Sequence, residues 1–189
     1  MNVQRLSRVP MLPKYEVIKD GMEFSIDLNT IKKDSDNDGY NDLFEQFIGL
    51  NPNSKDTDSD GISDFEDTNP KFKSSEAKFT SMYETIADEP SEKLKYSFTE
   101  ILTDCSYFQN INPKNRKVLI YTTQEKVPIK EDVLDHFFPR KYSKISTFKD
   151  YRDAYFMDFS DETGNGTLSA EFISGKWKVD KKYTIMFGV

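Results

Sequence analysis

The sequence predicts an α+β protein in which a small loop-rich segment precedes a larger domain, with helices first and an antiparallel sheet at its C-terminal end. Residues 34–67 are dominated by Asp, Ser, Asn and Gly at regular offsets, which is typical of ordered polar loops. Residues 74–105 carry apolar residues at helical spacing, and residues 145–189 carry short apolar runs divided by turn residues. The predicted organisation is an extended segment over 1–30, the loop-rich module over 31–71 and the α+β domain over 74–189.

Two acidic segments in the loop-rich module repeat one pattern at a spacing of 22 residues, DSDNDGYNDLFE from residue 34 and DTDSDGISDFED from residue 56. Calcium takes six to eight oxygen ligands, and a known twelve-residue loop supplies them from positions 1, 3, 5, 7, 9 and 12, with glycine at position 6. Both segments match this register, so the pattern predicts two calcium ions. The predicted ligands are Asp34, Asp36, Asp38, the Tyr40 carbonyl, Asp42 and Glu45 in the first loop, and Asp56, Asp58, Asp60, the Ile62 carbonyl, Asp64 and Asp67 in the second.

The chemistry of each position explains the residue type found there. Gly39 and Gly61 permit a backbone reversal that a side chain would hinder. Tyr40 and Ile62 are expected to contribute only main-chain carbonyls, which leaves their side chains free to pack inward. Asp67 has a shorter arm than a closing Glu, so the second site is expected to bind calcium more weakly or less selectively in an EF-hand-like geometry.

The run GLNPNSKDTDSDGISDFED resembles the thrombospondin type 3 repeats of bacterial cell-surface and secreted proteins, in which a closing Asp is ordinary and an Asn-Pro or Asp-Pro turn precedes each loop. An ordinary EF-hand fits less well, because no amphipathic helix of useful length enters the first loop. The resemblance covers roughly residues 30–70 and implies a half-EF arrangement, a loop followed by a helix.

The helix that follows the first loop is predicted from apolar residues at helical spacing, Leu43, Phe44, Phe47 and Ile48, with Gly49 as its C-cap. The repeats of animal proteins carry cysteines in and beside the loops. This chain has none there, which favours a bacterial source.

The negative charge of the chain is concentrated in the two loops. Residues 34–69 hold eleven acidic residues and one lysine, a net charge of −10, whereas the whole chain carries −7. So much like charge is expected to resist compaction until cations neutralise it. The alternative is a disordered acidic linker, but such tracts lack the apolar residues that here hold the same places in both copies.

Composition also bounds the partners and the location. The lysines are scattered and form no nucleic-acid footprint, and no apolar run is long enough for a membrane span. The N-terminus lacks the apolar core of a signal peptide. We nevertheless expect an extracytoplasmic location, with the chain a mature or shortened form, because loops of this kind work at 10⁻⁴–10⁻³ M calcium.

The α+β domain is expected to begin with two helices. Phe79, Met82, Tyr83 and Ile86 predict the first. A second is predicted over residues 91–105, where Cys105, the single cysteine, would be a small buried apolar residue and not a nucleophile. One cysteine excludes an internal disulfide framework.

The rest of the domain is predicted to be mostly strands. A buried strand is expected over 118–122 and a short helix over 130–138, in which His136 has a structural role or none. The final strands are expected at 154–159, 168–174, 177–179 and 184–187, with turns at 161–166, 174–175 and 180–182.

The sequence contains no Gly-rich phosphate loop, HExxH helix, GxSxG elbow or CxxC pair, and two functions from different classes are open. The favoured hypothesis is a calcium-binding protein of the bacterial cell envelope or secreted fraction, in which two ion-stabilised loops form a spacer that carries an α+β domain able to contact a protein partner. The alternative is an enzyme or toxin-related α+β domain in which calcium is purely structural. A concave pocket with convergent ionisable groups would favour the second hypothesis.

Overall fold

The computed structural model describes residues 3–5, 15–17, 25, 27–88, 98–125, 139–147, 153–161 and 163–186. The chain divides into two compact units, Met1–Lys32 and Lys33–Val189. In the first unit, strands β1 (Val3–Arg5) and β2 (Tyr15–Val17) form an antiparallel pair, and a helix of little more than one turn, α1 (Leu28–Lys32), follows.

The second unit is built on a mixed seven-stranded sheet with short helices, which confirms the predicted α+β class. The helices are α2 (Asp42–Ile48), α3 (Lys78–Ala87) and α4 (Ser106–Gln109), and the strands are β3 (Phe98–Leu102), β4 (Lys117–Tyr121), β5 (Arg140–Tyr142), β6 (Ser146–Thr147), β7 (Ala154–Asp161), β8 (Gly164–Ile173) and β9 (Lys176–Met186). The strand order is β4-β3-β5-β7-β8-β9, with β6 also paired to β7.

Helices α2 and α3 form where the apolar spacing predicts them. The side chain of Asn41 caps α2 by accepting a hydrogen bond from the Phe44 N–H, and Gly49 ends it in the left-handed conformation at φ 82°. Helix α3 buries the face that carries Met82, Tyr83 and Ile86. Both predictions are confirmed.

Strand β4 separates two apolar clusters. All five of its residues are buried, and they alternate between the two faces of the sheet. Val118 and Ile120 pack with α3, whereas Leu119 and Tyr121 pack with Tyr40 and other residues of the acidic loop region. The acidic loops therefore share a core with the edge of the sheet.

The predicted second helix is wrong. Residues 98–102 form β3, which pairs in parallel with both β4 and β5. Cys105 lies half-buried just before α4. The rest of the predicted helix, residues 91–97, lies outside the described residues, as does the predicted helix over 130–138 with His136.

The sheet is mixed, whereas the sequence predicts an antiparallel sheet. The predicted meander corresponds to β7, β8 and β9 only, and β3 pairs in parallel with β4 and β5. The turn at 174–175 is confirmed, with positive φ at Ser174 and Gly175. The turn predicted at 180–182 is wrong, since β9 continues from Lys176 to Met186. Its residue Lys181 points to the sheet, where it binds the buried carboxylate of Asp161 at 2.7 Å and lies over the Phe159 ring.

The turn predicted at 161–166 is shorter than expected. Asp161 pairs with Gly164 across a two-residue connection, and Gly164 and Gly166 lie inside β8. A Cβ at Gly166 would come within 1.9 Å of the Lys182 carbonyl oxygen, so the close approach of β9 requires glycine there. No helix among the described residues is long and apolar enough to cross a membrane.

Candidate metal centre

The two acidic loops adopt matching backbone conformations. Position 4 of each loop has positive φ, 59° at Asn37 and 63° at Ser59, and the glycine at position 6 has φ 115° at Gly39 and 100° at Gly61. These values lie where non-glycine residues are disfavoured. The reversals at positions 4 and 6 of each loop turn the chain so that the carboxylates at positions 1, 3 and 5 come close to one another.

Hydrogen bonds hold the side chains of positions 1 and 5 in the same way in both loops. Asp34 accepts the Gly39 N–H at 3.2 Å, as Asp56 accepts the Gly61 N–H at 2.8 Å. The position 5 carboxylate accepts the N–H two residues on, at 2.7 Å for Asp38 and 2.9 Å for Asp60.

In each loop, the carboxylate at position 9 accepts hydrogen bonds from the residue at position 2. Asp42 accepts the Ser35 N–H at 2.7 Å and the Ser35 hydroxyl at 2.8 Å. Asp64 accepts the Thr57 N–H at 2.8 Å and the Thr57 hydroxyl at 2.6 Å. Lys33 adds an ion pair to Asp42 at 2.6 Å, and its hydrogen bond lowers the pKa of that carboxyl.

The carboxylates gather into three groups whose oxygens lie within 4.8 Å of one another. Two groups are the position 1, 3 and 5 residues of each loop. The third joins position 5 and position 12 of the first loop to position 9 of the second loop. The groups are Asp34, Asp36 and Asp38; Asp56, Asp58 and Asp60; and Asp38, Glu45 and Asp64.

Glu45 is the most unusual member of these groups. Its side chain is 0 % exposed, and neither of its carboxylate oxygens has a hydrogen-bond partner among the described residues. Within the same part of the chain, one buried oxygen each of Asp36, Asp38 and Asp58 also lacks a partner. Buried carboxylates are normally paired or hydrogen-bonded, because an unpaired ion in the interior is costly. These oxygens are therefore free to accept a cation.

The electrostatics of the loops match this geometry. Burial, and after it the neighbouring carboxylates of Asp36 and Asp38, raise the pKa of Glu45 to about 8. Burial and then Asp60 raise the pKa of Asp58 to about 7. Burial also raises the pKa of Asp64 to about 6, against the hydrogen bonds from Thr57. A bound cation would reverse this balance by favouring the ionised forms.

The loops are joined to the sheet through Tyr40 and Lys117. The Tyr40 ring is fully buried and meets the Phe65 ring edge-on at 5.0 Å. The Lys117 ammonium donates to the Tyr40 hydroxyl at 3.0 Å and to the Phe65 carbonyl. It also lies among the rings of Tyr40, Phe65 and Phe98, at 5.3–5.7 Å from their centroids. This buried cation is a counter-charge supplied by β4.

The position 7 and position 12 residues of the two loops differ from each other. Tyr40 packs inward as expected, whereas Ile62 is 39 % exposed, so the expectation of an inward side chain is wrong there. Glu45 joins a carboxylate group, whereas Asp67 accepts the Asn69 N–H at 2.9 Å. Burial raises the pKa of Asp67, Asp60 adds to that rise, and Lys117 opposes it.

Sequence reasoning did not identify Lys117 or the role of Asp64 beside the first loop. The available signal for Lys117 was a lysine at the start of an apolar strand, Lys117–Tyr121, but its partners lie 52 and 77 residues away. Oxygens from carboxylates are the donors that a hard cation such as calcium prefers, and no soft ligand is present in either loop. The residues therefore fit the ion that the pattern predicts.

No family model, curated protein or solved structure matches this chain.

Proposed function

We propose that this chain is a calcium-binding protein of the bacterial cell envelope or secreted fraction, in which two ions stabilise the acidic loops against the edge of an α+β domain. The observation that carries the proposal is the carboxylate of Glu45, which is buried beside Asp38 and Asp64 and receives no hydrogen bond from the part of the chain that the structure describes. A divalent cation supplies the positive charge that these oxygens lack.

The shared core gives the ions a structural consequence. Because Tyr40 lies within the first loop and packs against β4, ordering the loop also orders its contact with the sheet. The ions would then stabilise the whole second unit, with the loops acting as a brace on the sheet that presents a partner-binding surface. Loss of calcium should loosen the region from Asp34 to Asp67 first, since most of the negative charge of the chain lies there.

The location follows from the affinity expected of the second loop. Its closing residue, Asp67, accepts a backbone hydrogen bond and has a shorter reach than Glu45. Extracellular calcium modules work at 10⁻⁴–10⁻³ M, so such a site would be filled outside the cytoplasm. This supports an extracytoplasmic location.

Titration calorimetry with calcium tests the proposal. The unaltered chain should bind two ions, and Asp34→Ala and Asp56→Ala should each bind one ion fewer, because each substitution removes a position 1 carboxylate. Asp180→Ala, on the exposed part of β9, serves as the control and should retain both sites. Unchanged stoichiometry in both loop variants would refute the ligand assignment, and zinc should not displace calcium.

A further inference from the structure

The parallel part of the sheet has a distinct edge. Strand β3 runs parallel to β4 on one side and to β5 on the other, so the carboxyl ends of all three strands lie together. The residues that follow these strands are Thr103 to Cys105, Thr123, and Ser143 to Ile145. In sheets of parallel strands, ligands commonly bind outside this edge.

A cavity of about 600 Å³ lies at that edge, and residues from all three connections line it. Its volume lies within the range of roughly 300–1,000 Å³ typical of small-molecule sites. The walls are mostly apolar: Tyr83 and Phe108 are stacked at 4.3 Å between centroids, and Leu102, Tyr142 and Ile145 complete the surface. An apolar chain or ring of a ligand would gain from burial against these side chains.

The polar lining of the cavity has an excess of positive charge. Lys141 and Lys144 line it, and within the described part of the chain neither forms an ion pair. Asp104 is the acidic residue among the described lining residues. Its carboxylate accepts hydrogen bonds from the Thr123 N–H at 2.9 Å and from the Thr123 hydroxyl at 2.5 Å. Both lysines are exposed, so their long side chains are able to reach a negatively charged group bound at the cavity.

We propose that this cavity binds a small amphipathic anion, with its apolar chain or ring against Phe108 and Tyr142 and its carboxylate-type head at Lys141 and Lys144. The inference does not depend on calcium at the loops, because the two regions use different residues. It assigns to the α+β domain a ligand class that is independent of any protein partner.

Cys105 makes the test specific, because it is the single cysteine of the chain, lines the cavity and is half-buried. The rate at which iodoacetamide alkylates its thiol therefore reports on whether the cavity is filled. Decanoate, decanol and decyltrimethylammonium share the apolar chain and differ in the charge of the head. Each is used below its micelle concentration or solubility limit, with free calcium kept low enough that calcium decanoate stays dissolved. Decanoate should slow alkylation about tenfold at saturation, decanol should require a higher concentration, and the ammonium compound should leave the rate unchanged.

The charge requirement has its own control. Lys141→Gln combined with Lys144→Gln should weaken the decanoate effect about fivefold, the scale of two exposed ion pairs. Lys178→Gln combined with Lys182→Gln removes the same charge from the exposed face of β9 and should leave the effect unchanged. The proposal is overturned if decanoate does not slow alkylation of the unaltered chain, if decanol protects equally well, or if both double variants weaken protection to the same extent.

Discussion

Replacing Glu45 by Gln should have opposite effects on stability in the presence and absence of calcium. The side chain is fully buried, and none of the described residues donates a hydrogen bond to its carboxylate. Its pKa is raised by burial to about 8, well above the value of an unfolded chain. In a chelator, the stability associated with its protonated form is present below about pH 4.5 and is lost as the pH rises towards 8.

The magnitude follows from the distances. An oxygen of Glu45 lies within 4.8 Å of oxygens of Asp38 and Asp64. Repulsion between two such charges at that distance is about 3 kcal/mol at an effective dielectric constant of 20. At pH 8.5 in a chelator, Glu45→Gln should therefore raise the free energy of unfolding by about 2–3 kcal/mol. At a calcium concentration 100 times the dissociation constant, each filled site contributes about 2.7 kcal/mol, and the variant should lose the contribution of the first site.

Thermal unfolding at pH 8.5, with EDTA or with 10 mM calcium, measures both effects. A contribution of 2.7 kcal/mol corresponds to a shift of about 5–10 °C for a chain of this size. The variant should melt above the unaltered chain in EDTA and gain only part of its calcium-dependent shift. Glu76→Gln, an exposed residue outside both loops, is the matched control and should change neither value. A full calcium-dependent shift in Glu45→Gln would show that the Glu45 carboxylate is not a calcium ligand.

Three further perturbations test the junction and the sheet. Gly39→Ala should lower the free energy of unfolding in calcium, measured by urea denaturation, by about 2 kcal/mol, because at φ 115° the new Cβ would meet the Phe65 ring at 3.1 Å. Gly61→Ala should lower it less, because no atom lies within 4 Å of the new Cβ there. Equal losses in the two variants would contradict this expectation. Lys117→Met should lower the free energy of unfolding by about 2–3 kcal/mol, because it removes the hydrogen bonds to Tyr40 and Phe65. The exposed control Lys114→Met should leave it almost unchanged. Similar values for the two variants would argue against a stabilising contact between Lys117 and the loops. Burial raises the pKa of Glu100 to about 7, so its contribution to stability is present below about pH 4.5 and is lost as the pH rises to 7. Glu100→Gln should therefore reduce the dependence of the free energy of unfolding on pH, measured by denaturation curves between pH 5 and 8. An unchanged pH dependence would exclude Glu100 as its source.

Local patterns predicted the parts of the fold that depend on neighbouring residues. The loop reversals follow from Gly39 and Gly61, and the C-terminal end of α2 follows from Gly49, because each position determines a turn or a cap by itself. The face of α3 was readable for the same reason. The ligands of the loops could be proposed from spacing alone, and calcium binding stays a prediction.

Predictions failed where distant pairing overrides local spacing. Phe98, Ile101 and Leu102 have helical spacing, but β3 lies between two parallel strands and needs apolar residues on both faces. Within β9, Asp180 to Lys182 resembles a turn, yet Lys181 is held in the strand by the buried carboxylate of Asp161, twenty residues away. A rule based on residue spacing takes account of neither the strands that flank β3 nor the Asp161 carboxylate.

The same limit applies to the metal centre. The sequence places Asp64 in the second loop, but the structure places its carboxylate beside Asp38 and Glu45 of the first. Lys117 lies on β4, and its hydrogen bond to Tyr40 joins residues that are 77 positions apart in the sequence. Contacts of this kind depend on how the two loops pack on β4, which a single sequence does not specify.

Anomalous scattering from crystals grown in calcium would locate the two ions. We expect two peaks, one among Asp34, Asp36, Asp38 and Glu45 and one among Asp56, Asp58 and Asp60, each surrounded by oxygen atoms at about 2.3–2.6 Å. Well-ordered loops without a peak at either position, in crystals soaked at millimolar calcium, would contradict the proposed calcium sites.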